Sequence, residues 1–350
     1  MRQKVKYTFL DFETRSAADL KKVGADNYSK HPSTDALCVG FAFDDEPVDL
    51  LEPGDYEFAP FLEQGLVIIS HNAAFELAIW NNVMVRRYGW PPLKPENMIC
   101  TMAMAYAMGL PGSLANAALA TGIEHQKDHA GHRVMMQLSQ PRTLEPLTWW
   151  TDKEKTQKLF DYCRQDIETE RALFKRLVKL SPSEKKIWEL DQRINNRGIQ
   201  IDRKSAQAAL DLVEAEKKKL NQRMREISSG AIATCTAVAQ IGQYLANRGV
   251  SIPDGIAKAE VTEILSRPDL PDDCREVLIL RQEAGKSSTA KLQTMLLRAG
   301  DDGRLRGMFQ YHGASTGRWA GRGVQLQNMT RGKLKIKEVE AVFDLLGEAE

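Results

Sequence analysis

The stretch that most constrains this chain is Tyr7-Thr8-Phe9-Leu10-Asp11-Phe12-Glu13-Thr14. Val5, Tyr7 and Phe9 alternate with Lys6 and Thr8, and aromatic and β-branched residues dominate, so the run reads as a strand. Residues two apart on a strand face the same side, which sets Asp11 and Glu13 side by side at its C-terminal end. Paired carboxylates raise each other's pKa unless a cation lies between them, and Mg²⁺ or Mn²⁺ takes oxygen ligands of this kind. A solvated acidic strand end has the same local sequence. Only carboxylates placed elsewhere in the chain can decide between the two readings.

At 350 residues, with 43% hydrophobic and 27% charged residues, the chain has the material for two or three globular domains. Five scattered cysteines, odd in number and never in C-x-x-C spacing, support neither a disulfide framework nor a zinc site, and point to a reducing cytosol. The first residues enter a strand with no signal-peptide core, and no apolar run reaches spanning length. A cytoplasmic setting without a membrane partner is expected. The net charge of +1 is unevenly spread: twelve Lys or Arg face three acids between Arg281 and Lys337, a local +9 that leaves −8 for the remainder. A basic rear behind an acidic front suits a polyanion held in one place and cut in another.

Gly24 to Asp35 reads as a polar loop, and strands at Ala36–Phe43 and Val48–Leu51 complete a three-strand meander. A short helix is expected at Phe58–Gln64, then a buried strand at Leu66–Ser70. An amphipathic helix capped by Asn72 follows and runs to about Arg87. Met98 to Ala107 is strand or helix, and Leu114 to Thr121 is helix. Gly122 to Arg142, with His125, His129 and His132, reads as a mobile loop rather than a metal cluster. Lys153 to Leu180 is the longest helical pattern, with Leu159, Phe160, Cys163, Ile167, Phe174, Leu177 and Val178 on one stripe, stopped by Ser181-Pro182-Ser183. Helices then dominate to about Leu297, followed by strand near Gly303–Phe309 and a Gly/Arg/Gln-rich loop from His312.

Two segments supply the missing partners of Asp11 and Glu13. Tyr162 and Asp166 lie four apart on one helix face, and Asn72-x-x-x-Glu76 puts a carboxylate in the first turn of the helix after the fourth strand. D-F-E-T, H-N-A-A-F-E and Y-C-R-Q-D, in this order, resemble the three motifs of the DEDD exonuclease superfamily in its Tyr variant. That resemblance implies a ribonuclease-H-like α/β fold and two-metal removal of 3′-terminal nucleotides. Glu189 to Asp202 and Leu278 to Leu296 (with Arg281, Lys286 and Lys291) are similar to the thumb of family A DNA polymerases. Gly313 to Asn328 is similar to the T-G-R…N-L-Q-N stretch that opens their palm.

The domains then expected are an exonuclease over 1–181, a mostly helical thumb-like region over 182–300 and the start of a palm over 301–350. The palm aspartate, fingers helix and H-D-E motif of that family are not in this sequence. The chain thus resembles the N-terminal part of a polymerase, truncated or split, with a second chain carrying the remaining palm and fingers. By resemblance, Asp11, Glu13, Glu76 and Asp166 hold two Mg²⁺ or Mn²⁺ ions and Tyr162 helps Glu13 orient the attacking water. Thr14, Asn72 and Phe75 then meet the 3′-terminal nucleotide of single-stranded DNA. Lys286, Lys291, Arg318, Gln327 and Asn328 meet the primer-template duplex. Glu76 departs from the pattern, standing where the family usually has Asp. The implied role is proofreading in DNA replication. An RNA-processing 3′–5′ exonuclease, or a non-catalytic DNA-holding subunit, is the alternative.

Overall fold

The computed structural model describes residues 7–62, 67–123, 129–251, 258–285, 289–329 and 335–347. They form two compact units: Met1–Gln200 with Leu297–Gln327, and Ile201–Leu296 with Asn328–Glu350.

The first unit is built on five strands: β1 (Tyr7–Arg15), β2 (Asp35–Phe43), β3 (Asp49–Leu51), β4 (Val67–Ser70) and β5 (Met98–Cys100), in the order β3-β2-β1-β4-β5. The first three pair antiparallel, as the meander requires, whereas β1, β4 and β5 run parallel. Both faces of β1 are covered. Leu10 and Phe12 enter one apolar cluster with Trp80 and Trp90, and Phe9 enters the other with Ile167, Leu173 and Phe174. Period-2 geometry places Asp11 and Glu13 on the Phe9 side. The β1–β2 register slips between Glu13 and Thr14, because Glu13 faces Cys38 while Thr14 faces Ala36. A bulge therefore sits at the carboxylate end, where bulges often re-aim side chains.

Between β1 and β2 the chain forms α1 (Leu20–Lys30), not the expected loop. Asp19 caps it, accepting from Lys21 and Lys22 N–H, but Gly24 at φ 81° kinks it and breaks the periodicity that would have announced a helix. The helix after β4 is composite: α2 (Ala73–Ile79), a π-turn at Trp80–Met84, then α3 (Val85–Tyr88). A 3₁₀ turn occupies Tyr56–Phe58, and the rest of the helix expected up to Gln64 falls partly outside the described residues. After β5 come α4 (Thr101–Ala107), α5 (Leu114–Ala120) and α6 (His129–Leu138). The last replaces the loop expected around the histidines. It carries His129 and His132, and His125 lies outside the described residues. A small hairpin, β6 (Thr143–Leu144) with β7 (Leu147–Thr148), leads to α7 (Lys153–Arg176).

Helix α7 is capped by Asp152, which accepts from Glu154 and Lys155 N–H, and ends with Lys175 and Arg176 in its last turn. Its stripe Leu159, Cys163, Ile167 and Phe174 is buried, whereas Val178 lies beyond the helix end and is exposed. It crosses β1 and β2 closely because β2 carries Gly40. A Cβ there would sit 2.6 Å from Ile167 Cδ1 and 2.7 Å from Cys163 Sγ.

Helix α8 (Pro182–Arg197), expected to open the next domain, packs in the first unit. Trp188 is buried in its core, and Glu184 accepts from the Tyr311 hydroxyl at 2.6 Å. The pair β8 (Ile199–Gln200) with β9 (Arg304–Leu305), and β10 (Phe309–Gln310) with β11 (Ala320–Gly321), bring the late segment into the same unit. The second unit gathers α9 (Arg203–Ile227), α10 (Val238–Ala246), α11 (Lys258–Leu265), α12 (Asp272–Ala284), most of α13 (Ala290–Arg298) and α14 (Ile336–Gly347). Met224, Ile241, Leu245, Val277 and Leu278 are in its core. The helical stretch expected to end near Leu297 closes with the two helices α12 and α13.

Gly40→Ala should lower the stability of the full chain by about 1–3 kcal/mol in urea or thermal unfolding, because the added methyl must push α7 off β2. An unchanged midpoint would mean that α7 is not held by this contact.

Candidate active site

Where α7 passes the end of β1, a cavity of about 930 Å³ opens in the first unit, lined by Asp11, Glu13, Thr14, Phe75, Glu76, Tyr162 and Asp166. Strand β1 delivers Asp11 and Glu13, the first turn of α2 delivers Glu76, and one face of α7 delivers Tyr162 and Asp166. All five groups proposed from the sequence for the chemistry thus meet in one place. Glu13 is 7% exposed and Glu76 4% exposed. Glu76 Oε2 accepts the Phe12 N–H at 3.2 Å, tying α2 to the strand.

The electrostatics follow from burying like charges together. Burial pushes the Asp11 carboxyl up to about 6, opposed by a contact from Cys163 Sγ to its Oδ2 at 3.7 Å. Glu13 is pushed well above the carboxylate range, first by burial and then by Asp11, Cys38, Asp166 and Glu76. Burial, then Asp11 and Glu170, does the same to Glu76. The Tyr162 phenol is raised by burial and by Asp166, whose carboxylate accepts its hydroxyl. Among the described residues, no lysine, arginine or histidine forms an ion pair with Asp11, Glu13 or Glu76. Buried carboxylates lacking a cation are what a divalent ion would satisfy. Asp11, Glu13 and Cys163 offer ligand atoms all within 4.8 Å of one another, and Glu76 and Asp166 line the cavity around that group. The donor set, mostly carboxylate oxygens, fits Mg²⁺ or Mn²⁺.

Thr14 is buried with its hydroxyl 3.0 Å from the Tyr28 hydroxyl, and Phe75 lies beside the Tyr28 ring, centroids 6.1 Å apart. Asn72 does not join them. It is exposed, lines a neighbouring cavity of about 790 Å³, and occupies the cap position at φ 65° without a side-chain cap bond. Asn tolerates that left-handed geometry better than most residues. Arg318 is exposed on the first unit, its Nε bonded to Thr316, and Gln327 lies over Gly321. Lys291 and Asn328 belong to the second unit, where Lys291 Nζ donates to the Asn328 carbonyl at 3.1 Å. Lys286 lies outside the described residues.

Four features were missed by sequence reasoning. Tyr28 was assigned to a loop. The opposite cavity wall is Met135, Met136 and Ser139 to Leu144, from α6 and the hairpin, joined to the strand end by Ser16 N–H to Ser139 carbonyl at 3.0 Å. Cys163 was counted as core and yet touches Asp11. Glu170, 2% exposed, falls between Ile167 and Phe174 on the apolar stripe of α7. A charged residue at a stripe position was the available signal for it.

No family model matches the chain. It is 34% identical over 360 aligned residues, 96% of its length, to a DNA polymerase of Bacillus phage SP02. It spans about half, 53%, of that relative. Among solved structures it is similar to the POL domain of Pol1 from M. smegmatis in complex with DNA primer-template and dNTP. The TM-score is 0.53 at 13% identity, covering 94% of this chain and 53% of that one. That likeness is one of fold.

Without metal, stability should fall as pH rises. Asp11 titrates near 3.8 when unfolded and about 6 when folded, so its contribution is complete below the lower value and lost by the upper. Asp11→Asn should stabilise the EDTA-treated chain at pH 7.5 by about 1–3 kcal/mol in urea. Adding Mg²⁺ or Mn²⁺ should narrow the wild-type difference between pH 5 and pH 7.5.

Proposed function

We propose that the chain is part of a family A DNA polymerase, a reading supported by its 34% identity to the phage DNA polymerase, and that its first unit is a ribonuclease-H-like 3′–5′ exonuclease that proofreads DNA during replication. One observation carries the reading. Carboxylates and a tyrosine from three segments far apart in sequence line one cavity beside an aromatic side chain. Asp11, Glu13, Glu76 and Asp166 would hold two divalent ions, Mg²⁺ or Mn²⁺. When bound, such ions supply an activated water at neutral pH and neutralise charge on the leaving oxygen.

The chain's own residues do the rest. The Tyr162 hydroxyl, fixed by Asp166, orients water on the face of α7 that borders the cavity. Phe75 offers a face for the terminal base. Stacking of that sort contributes about 1–3 kcal/mol per base and tolerates any sequence, as trimming of mispaired ends requires. Thr14 keeps its hydroxyl at the strand end to contact the terminal nucleotide. Lys291, Arg318, Gln327 and Asn328, with Lys286, serve to hold the duplex from which the strand end departs. The working environment is the cytoplasm of a bacterial or phage-infected cell.

The test is digestion of 3′-labelled single-stranded DNA with Mg²⁺ or Mn²⁺. Wild type should shorten the label end stepwise, and Asp11→Ala should lose more than about a hundredfold in rate. Binding without digestion in wild type would favour the DNA-holding alternative, and faster digestion of RNA would favour the RNA-processing one. Glu76→Asp should stay within about tenfold of wild type, since Glu76 already reaches the strand. A gain of several orders of magnitude would mark Glu76 as a defect in the site.

Binding of primer-template duplex, measured by anisotropy, should weaken steeply between about 50 and 200 mM salt, and Arg318→Ala should reduce the slope by about one. A flat salt response would remove the duplex-holding role.

A further inference from the structure

Glu170 is the group that the proposed chemistry leaves unused. It lies on α7 one turn beyond Asp166, so that Tyr162, Asp166 and Glu170 succeed one another at intervals of four on one helical face. Its neighbours Ile167 and Phe174 are core residues, and Glu170 itself is 2% exposed. One carboxylate oxygen accepts the backbone N–H of His71, at the start of the second motif. The other, Oε1, is buried without a hydrogen-bond partner. No basic side chain forms an ion pair with it among the described residues.

An apolar residue would fill this stripe position without penalty. A carboxylate with one orphaned oxygen is expensive there unless something positively charged meets it. What surrounds it is negative: Asp11 and Asp166 repel it, and Glu170 in turn repels Glu76. The carboxylate therefore lies within electrostatic reach of the cavity acids, one helical turn beyond Asp166, without itself lining the cavity. Glu76 has part of its capacity committed, with Oε2 held by the Phe12 N–H. An ion wanting about six oxygens has reason to recruit another.

We propose that Glu170 is a fifth carboxylate of this site, a ligand of the divalent ion held between Asp11 and Glu76. The assignment rests on the exonuclease reading of the cavity. It also accounts for how the site works with Glu76, because a buried partner behind the longer side chain fixes the ion that Glu76 alone would hold loosely. The bond to His71 then couples the ion to the backbone at the end of β4.

The experiment is a Mn²⁺ titration of the full, EDTA-stripped chain, followed by the electron paramagnetic resonance signal of free Mn²⁺. Wild type should bind two ions. In Glu170→Gln the weaker constant should weaken by about 10–100-fold while the stronger one holds. Without metal, that variant should melt no lower than wild type, because the amide still accepts the His71 N–H and no longer brings a buried charge. Two unchanged constants in folded Glu170→Gln would overturn the assignment and leave Glu170 as an anchor for His71, with the exonuclease reading intact. No Mn²⁺ uptake by wild type would overturn both. If Glu170→Gln does not fold, Glu170→Asp is read in the same way: a weakened constant sustains the assignment, and an unchanged one ends it.

Discussion

Like charge is concentrated where α7 crosses the end of β1, and apolar packing in the first unit holds that crossing together. Asp11, Glu13, Glu76 and Glu170 are held together with no lysine, arginine or histidine ion-paired to them among the described residues, and each is displaced toward its protonated form. Such an arrangement costs free energy that the surrounding apolar contacts must offset. Phe9, Ile167, Leu173 and Phe174 on one side of β1, and Leu10, Phe12, Trp80 and Trp90 on the other, pin the strand on both faces. The acids are therefore placed by packing rather than by mutual attraction. Packing of that kind holds the acids in place at a cost in stability that a bound cation would relieve.

The same packing explains the division of labour along α7. Cys163 and Ile167 lie on Gly40, while Tyr162 and Asp166 reach the cavity edge. This close packing sets the roll of the helix, and with it the position of the tyrosine hydroxyl and the carboxylate relative to Asp11 and Glu13. The bulge after Glu13 separates the last two functional side chains of the strand. Glu13 remains with the acids, and Thr14 turns to Tyr28 and the aromatic floor. One strand end thus reaches both the acidic and the aromatic side of the cavity.

Much of this was legible in the sequence. Period-2 alternation identified β1 and β2, the apolar run identified β4, and the spacing of Tyr162 and Asp166 correctly placed both on one face of a helix. The four acids and the tyrosine were named from motif order, and they line one cavity. The omissions have local physical causes. Gly24 interrupts α1 with a left-handed residue, so Tyr28 lost its helical context. Helix α6 is short and polar on much of its surface, so its stretch of sequence read as a loop. Glu170 was invisible because a stripe is read from its apolar members, and a carboxylate among them looks like an exposed gap. The first unit's N-terminal segment runs on through α8 to Gln200, because Trp188 and Glu184 have partners that a Ser-Pro-Ser stop signal does not reveal.

His71 opens the second motif and looks, in a nuclease-like sequence, like a proton-transfer group. Its ring is fully engaged elsewhere: Nδ1 meets the Thr101 hydroxyl at 2.9 Å and Nε2 meets the Gly112 carbonyl at 2.8 Å, and burial holds its pKa below the usual value. Among the described residues no histidine lines the acidic cavity, whereas burial pushes the Asp11 carboxyl up to about 6. An inflection near neutrality in a rate profile would by habit be ascribed to imidazole. Burial pushes the Asp11 carboxyl into that range, so an inflection arising from it should move with metal concentration, as one from an imidazole bonded to a threonine and a carbonyl would not.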